Sequence, residues 1–287
     1  MLKRQRSGSV VCPSCGRLVG VNDEKCLSCG RRNPGMWGFA GAFRRLGQDF
    51  GFAAAMTGGC LVLYLVSLVL DPSHIFSGGI TSLLSPTTRS LFVLGASGAI
   101  PVFGLGRWWT VLSASWLHGG PLHILFNVLW IRQLAPETAQ AYGPARMVII
   151  YTAAGATGFL LSSLVGRYLG FLPRFLGGAG FTVGASAPIF GLLGAIVHYG
   201  RRRGSSAVGK EALGYAVVLG LFGFVMPGID NWAHLGGFAG GYGIARWLDP
   251  WRDERVDHVV VAFACLAATA LAVAASVLTG LPALGAN

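Results

Sequence analysis

Residues Phe52–Leu70 read FAAAMTGGCLVLYLVSLVL, a run without a single charge. A helix needs about 20 mainly apolar residues to cross a hydrocarbon layer roughly 30 Å thick. This stretch therefore reads as a membrane span, and the same reading recurs along the chain. Six further spans are expected: Pro121 to about Ala139, Met147–Val165, Thr182–Tyr199, Ala212–Met226, Asn231–Leu248 and His258–Leu278. Composition agrees. The 287 residues would suffice for two soluble domains, but 53% are hydrophobic and only 11% charged, against roughly 25% charged in a soluble domain. The 22 basic and 11 acidic side chains cannot cover a water-facing surface of this size. The expected class is an all-α polytopic membrane protein.

The basic residues fix an expected orientation, because Lys and Arg of short loops stay on the cytoplasmic side. With a cytoplasmic N-terminus, Lys3, Arg4, Arg6, Arg17, Lys25, Arg31, Arg32, Arg44 and Arg45 lie inside. Arg132, Arg146, Arg201–Arg203, Lys210, Arg246, Arg252 and Arg255 join them, and only Arg89, Arg107, Arg167 and Arg174 fall outside. Most of the basic residues flank spans, which argues against nucleic-acid binding. The connection 71–120 is long, apolar and aromatic; it is expected in the outer interface, where Trp is favoured.

Ahead of the spans stand Cys12-Pro-Ser-Cys15-Gly16 and Cys26-Leu-Ser-Cys29-Gly30. Two such knuckles let four thiolates converge tetrahedrally on one ion, with no coordination position left open. A structural zinc is the favoured occupant, with iron and redox thiols as alternatives. No apolar signal-peptide core precedes Phe52, so the segment is expected in the cytosol, where metal binding outranks disulfides. It resembles a zinc ribbon. Nucleic acid, lipid headgroups or a protein partner are conceivable ligands for it, although its basic residues also fit simple cytoplasmic retention.

Ionisable groups inside a span are costly and point to function. The spans carry no acid or lysine near their centres, which argues against an ion-coupled transporter. Histidine and serine remain. The orientation places His118, His123, Asn127, Ser186 and His234 at one depth near the outer face. A lone interfacial His or an isolated G-x-S is weak evidence, since small residues serve helix packing. A serine, a possible base and two possible oxyanion donors at one level form a hydrolase constellation.

These residues lie in three motifs. The second span begins Trp116-Leu-His118-Gly-Gly-Pro-Leu-His123-Ile-Leu-Phe-Asn127. The fourth contains Gly184-Ala-Ser186-Ala-Pro-Ile-Phe-Gly191, and the sixth Ala233-His234-Leu-Gly-Gly237-Phe-Ala-Gly-Gly241. In kind, order and topology they resemble the rhomboid intramembrane serine proteases, over approximately Ala53–Leu248. The resemblance implies a rhomboid-like six-helix core, with a seventh transmembrane helix and a small cytosolic zinc-ribbon head added to it. The expected division is 1–35 for the ribbon, 36–51 for a basic linker, 52–248 for the core with 71–120 as its outer loop, and 249–287 for the seventh helix and tail.

By the same resemblance Ser186 is the nucleophile and His234 its base. His123, Asn127 and the Ser186 N–H would form the oxyanion hole, with His118 in support. Gly184, Gly191, Gly237 and Gly241 would allow close helix packing, and Phe190 matches an aromatic position beside the catalytic imidazole. Catalysis would need no cofactor. Substrates would be transmembrane segments of other proteins, reached within the lipid of a membrane, for which a bacterial cell membrane is expected. A mobile cap hinged at Pro227-Gly228 would admit water. Asp230 is expected to be an N-cap rather than a third catalytic member. Gly95-Ala-Ser97-Gly98 imitates a nucleophile motif but stands in the wrong loop. Two positions depart from the family pattern: Thr110 follows Trp109 where an arginine is common, and Pro188 follows Ser186 by two residues. The alternative function is a non-catalytic rhomboid-like protein that binds membrane clients.

Overall fold

The computed structural model describes residues 4–12, 15–41, 49–76, 83–173, 176–202, 204, 206–226, 228–252 and 254–282. Pro227 of the expected hinge, and Lys3, Arg44, Arg45, Arg174 and Arg203 of the orientation argument, lie outside them.

The chain begins with a two-stranded antiparallel hairpin, β1 (Ser9–Val11) and β2 (Leu18–Gly20), with Val10 opposite Val19. Val10, Cys12, Val19, Val21 and Cys26 bury themselves in a small core of their own. So few apolar side chains cannot offset the ordering of a segment of this length, and a fold of this size ordinarily needs a metal or disulfides.

Helices follow: α1 (Phe52–Leu70), α2 (Thr88–Leu94), α3 (Thr110–Ser113), α4 (Pro121–Tyr142), α5 (Pro144–Leu169), α6 (Ser186–Arg202), α7 (Ser206–Val225), α8 (Asn231–Trp247) and α9 (Val256–Gly280). Each expected span is a helix. Four of them, α1, α5, α7 from Ala207 and α9, are long and apolar enough to cross a membrane, and the chain is a multi-pass membrane protein. The mixed faces of the others follow from their place: α6 is buried along nearly its whole length, so lipid does not dictate its composition.

The fourth span starts later than expected, at Ser186 instead of Thr182. Thr182 is held in extended geometry by two backbone hydrogen bonds with Ser97, at 3.0 and 2.8 Å. Helix geometry can begin only after this bridge releases the chain. The fifth span starts earlier, at Ser206, and the third extends over Pro144–Leu169, because Pro144 stands at the first helical turn where its missing N–H costs nothing.

The centre of the bundle is α6, packed between α5 and α8 at backbone contact. A Cβ built on Gly241 would lie 2.1 Å from the Gly191 carbonyl oxygen, and one on Gly237 2.0 Å from that of Ala187. Helices can come this close only where a hydrogen replaces the side chain. Helix α7 leans on α6 and touches α8 at few points. A cavity of about 460 Å³ opens between them, lined among others by Phe190, Val217, Phe224, His234 and Leu235.

Connection 71–120 differs in part from a segment lying on the interface. Ile100, Leu105 and Trp108 are exposed, as an interface would favour, but on either side of them the segment enters the core: Val93, Ser97, Thr110, Ser113, Ala114 and His118 are buried. Helix α9 also does more than extend the chain, since it packs on α2, α3 and α5. At the opposite end of the bundle Arg146 donates to the carbonyls of Asp249 and Arg252, while its own N–H reaches Glu254. These bonds tie the start of α5 to the α8–α9 turn.

Candidate active site

Ser186 is the first residue of α6, and the first N–H groups of a helix have no intrahelical partner. The positive end of the helix therefore faces its hydroxyl. Pro188 falls in this first turn and packs toward Gly155, so the ring removes no bond the helix could have made. His234 sits in the first turn of α8, and its Nε2 lies 2.9 Å from Ser186 Oγ. The Phe190 ring, one turn beyond Ser186, stacks on the imidazole at 4.1 Å between centroids and 11° between planes.

Asp230 caps α8, as expected: its Oδ1 accepts from the Ala233 N–H at 3.0 Å. Its other oxygen accepts the Ser162 hydroxyl. Neither oxygen serves His234 Nδ1, which is buried with no hydrogen-bond partner among the described residues. The geometry here is that of a pair, not a triad.

The first turn of α4 brings His123 to the same place. The Gly119 N–H donates to His123 Nδ1 at 3.3 Å, which leaves Nε2 as the protonated nitrogen. Gly184 explains why that nitrogen can face the serine. A Cβ there would lie 2.6 Å from His123 Nε2 and 3.5 Å from Ser186 Oγ, and φ is +135°. The missing side chain thus opens a space bounded by both atoms. Asn127, one turn on, is buried and donates from Nδ2 to the His123 carbonyl at 3.0 Å. His118 is fully buried with its ring edge-on to His123 at 5.1 Å, against the backbone at Trp116. Ser97 is buried in its bridge to Thr182, and Thr110 Oγ1 approaches its hydroxyl at 3.4 Å. The imitation motif is a structural pin.

Some residues of this site went unread in the sequence. Gly158 of α5 supports both halves of the pair: a Cβ there would lie 2.5 Å from the Ala233 carbonyl and 3.0 Å from the Ala187 side chain. Its signal was available in the small-residue run Gly155-Ala-Thr-Gly158. Arg107 had counted only as an outer charge, yet it is buried, donating to the Phe92 and Ser276 carbonyls. Nothing in the local sequence marks Ser276 as its partner.

A profile of the rhomboid domain matches residues 105–250. The chain belongs to the rhomboid family. It is 33% identical over 164 residues to RHOMBOID-like protein 1 of Arabidopsis thaliana, covering 56% of this chain and 39% of that protein. It is 31% identical over 167 residues to Rhomboid protease GluP of Bacillus subtilis, covering 57% of this chain and 30% of that one. Rhomboid-like protease 5 of Toxoplasma gondii is 32% identical over 163 residues, 55% of this chain and 18% of that protein. The matched region spans well under half the length of these relatives.

In the N-terminal ribbon the ligand atoms of Cys12, Cys15, Cys26 and Cys29 lie within 4.8 Å of one another. Cys12 and Cys29 Sγ are 3.7 Å apart, Cys15 and Cys26 Sγ 3.6 Å. The edge of a tetrahedron with bonds of about 2.3 Å is close to 3.8 Å, whereas a disulfide would need about 2.05 Å. The spacing fits four thiolates around one ion. The two knuckles are copies: Gly16 N–H donates to the Cys12 carbonyl and Gly30 N–H to that of Cys26, both at 2.9 Å, with φ of +74° and +75° at the glycines. Backbone N–H groups of Cys29 and Ser28 aimed at Cys26 Sγ hold its thiol down at about 6. That favours the thiolate a metal requires.

Proposed function

We propose that this chain is an intramembrane serine endopeptidase that hydrolyses peptide bonds in or near transmembrane segments of other proteins. The observation that carries the reading is the 2.9 Å contact between His234 Nε2 and Ser186 Oγ at the N-terminus of α6. A neutral hydroxyl becomes an effective nucleophile when an adjacent imidazole takes its proton. His234 accepts that proton as Ser186 Oγ attacks the scissile carbonyl, then returns it to the leaving amine. The Phe190 stack keeps the imidazole in plane during both transfers. Oxygen charge developing in the tetrahedral intermediate is met by His123 Nε2–H, the free N–H of Asn127 and the Ser186 N–H. One such donor is commonly worth about 10²–10³ in rate. Water then hydrolyses the acyl-enzyme.

In the orientation set by the basic residues, the ribbon is cytosolic and Ser186 lies near the outer face. The apolar cavity between α7 and α8 borders His234 and gives a lipid-borne segment a path to the pair. The four cysteines hold a structural zinc on the opposite side, outside the chemistry. The test is cleavage of a reconstituted single-span substrate, with fluorophosphonate labelling of wild type, Ser186→Ala and Ser97→Ala. Labelling and cleavage that vanish only in Ser186→Ala are expected. A wild type that binds the substrate but neither labels nor cleaves would leave client binding as the function.

A further inference from the structure

We propose that the end of α9 nearest the active site is a positioning element for Ser186, acting through a buried clamp of Arg107, Trp109 and Ser276. The inference rests on the proteolytic reading, and names what holds the nucleophile's turn in place.

Arg107 is 4% exposed. Its Nη2 donates to the Ser276 carbonyl at 2.6 Å and its Nη1 to the Phe92 carbonyl at 2.9 Å, with the guanidinium over the Phe92 ring at 4.2 Å. Phe92 lies in the last turn of α2 and Ser276 one turn before the end of α9. Carboxyl ends of helices carry partial negative charge, so one cation joins two such ends. At Arg107 these two carbonyls take the place that a carboxylate would fill in an ion pair. Trp109 adds a second tie, its Nε1–H donating to Ser276 Oγ at 3.1 Å. Ser113 Oγ stands 3.5 Å from the same hydroxyl and donates to the Gly95 carbonyl at 2.8 Å.

From this clamp two short paths lead to the nucleophile. Helix α3 runs directly into Ala114, whose carbonyl accepts the Gly184 N–H at 2.9 Å, two residues before Ser186. Thr110 Oγ1 donates to the Arg107 carbonyl at 2.8 Å and approaches Ser97, which bridges Thr182 through both backbone bonds. The extended stretch 182–184 is thus fastened to the 97–114 segment at two points, and that segment is fastened to α9. Arg107 touches neither the pair nor a substrate, so it acts through position. Tightening of this kind matters because a misplacement of about 1 Å can cost on the order of 10² in rate.

The experiment compares full-length wild type, Arg107→Ala, Arg107→Lys and Ser276→Ala in detergent. It measures kcat and KM for a single-span substrate, the fluorophosphonate labelling rate, and amide hydrogen exchange over 182–186. Arg107→Ala is expected to lower kcat and labelling about tenfold with KM within about twofold, the pattern of a lost transition-state geometry. Exchange over 182–186 should rise by about tenfold while α5 near Arg146 keeps wild-type protection. Arg107→Lys should recover part of both, and Ser276→Ala, which removes the Trp109 acceptor and the Ser113 contact but keeps the carbonyl that Arg107 uses, should lower kcat about threefold. Wild-type kcat and exchange in Arg107→Ala and Ser276→Ala would overturn the clamp. So would exchange rising equally in every helix, which marks a general loss of stability. If wild type itself neither labels nor cleaves, the proteolytic reading fails, and exchange over 182–186 alone decides the clamp.

Discussion

At the scale of single residues, the proteolytic reading gives the chemistry to Ser186 and His234 and leaves their neighbours to hold the chain. Ser186→Ala and His234→Ala are expected to abolish cleavage of a single-span substrate, because each removes one member of the 2.9 Å pair. Asp230→Ala should leave substantial cleavage. Its carboxylate serves Ala233 and Ser162, so its loss is a cap loss of about 1 kcal/mol, visible as a lower melting temperature in detergent. Equal loss of activity from all three would overturn the pair. Sequence spacing could name Ser186, His234, His123 and Asn127, since each stands in a recognisable motif. Spacing could not reveal that the Gly119 N–H sets the His123 tautomer, or that Phe190 lies flat on the imidazole. The first depends on how the turn before α4 folds back on its own first turn, the second on the approach of α6 to α8, and a pattern of residue types contains neither.

At the scale of elements, glycine positions decide how near the helices come. Gly237→Ala and Gly241→Ala should each destabilise the protein by roughly 1–3 kcal/mol through overpacking, because the new methyl would meet backbone rather than a yielding side chain. Thermal unfolding in detergent measures this, and Gly214→Ala on α7, with nothing near it, is the control. The ribbon is a second element with its own requirement. Purified protein is expected to carry one zinc per chain by elemental analysis, and Cys26→Ser to lose it. The Cys26 thiol is held below its ordinary value, so its thiolate, and with it metal binding, is kept at neutral pH. Protons compete with the metal for the thiolates, so binding is lost as the pH falls. A metal-free ribbon that kept its amide protection would refute this. The knuckle spacing made the cysteine cluster legible in the sequence, because four cysteines within one short segment need little tertiary help to converge. The late start of α6 was not legible. It depends on the Ser97–Thr182 bridge between segments 85 residues apart in the sequence.

At the scale of the whole molecule, the charges and the apolar runs divide the work. The basic residues call for a cytosolic N-terminus and a cytosolic connection near Arg201 and Lys210. Protease protection in sealed vesicles should therefore shield a tag placed at the end carrying Ser186 and expose one placed before Arg4 to the cytosolic side. The opposite pattern would move the site to the other face. The structure also changes the standing of α9. Read as a terminal extension beyond a six-helix core, it is in fact packed on α2, α3 and α5 and joined to Arg107 and Trp109.

Sequence alone determined the membrane class, the helices and the motif-bearing residues, because burial in lipid demands apolar runs of fixed length and motifs are local by nature. Only the tertiary structure decided the contact between Ser186 and His234, the space opened by Gly184, the cavity beside α7 and the buried partner of Arg107. Each of these depends on where one helix stops against another. That is set by the combined shape of facing surfaces, which no single stretch of chain encodes.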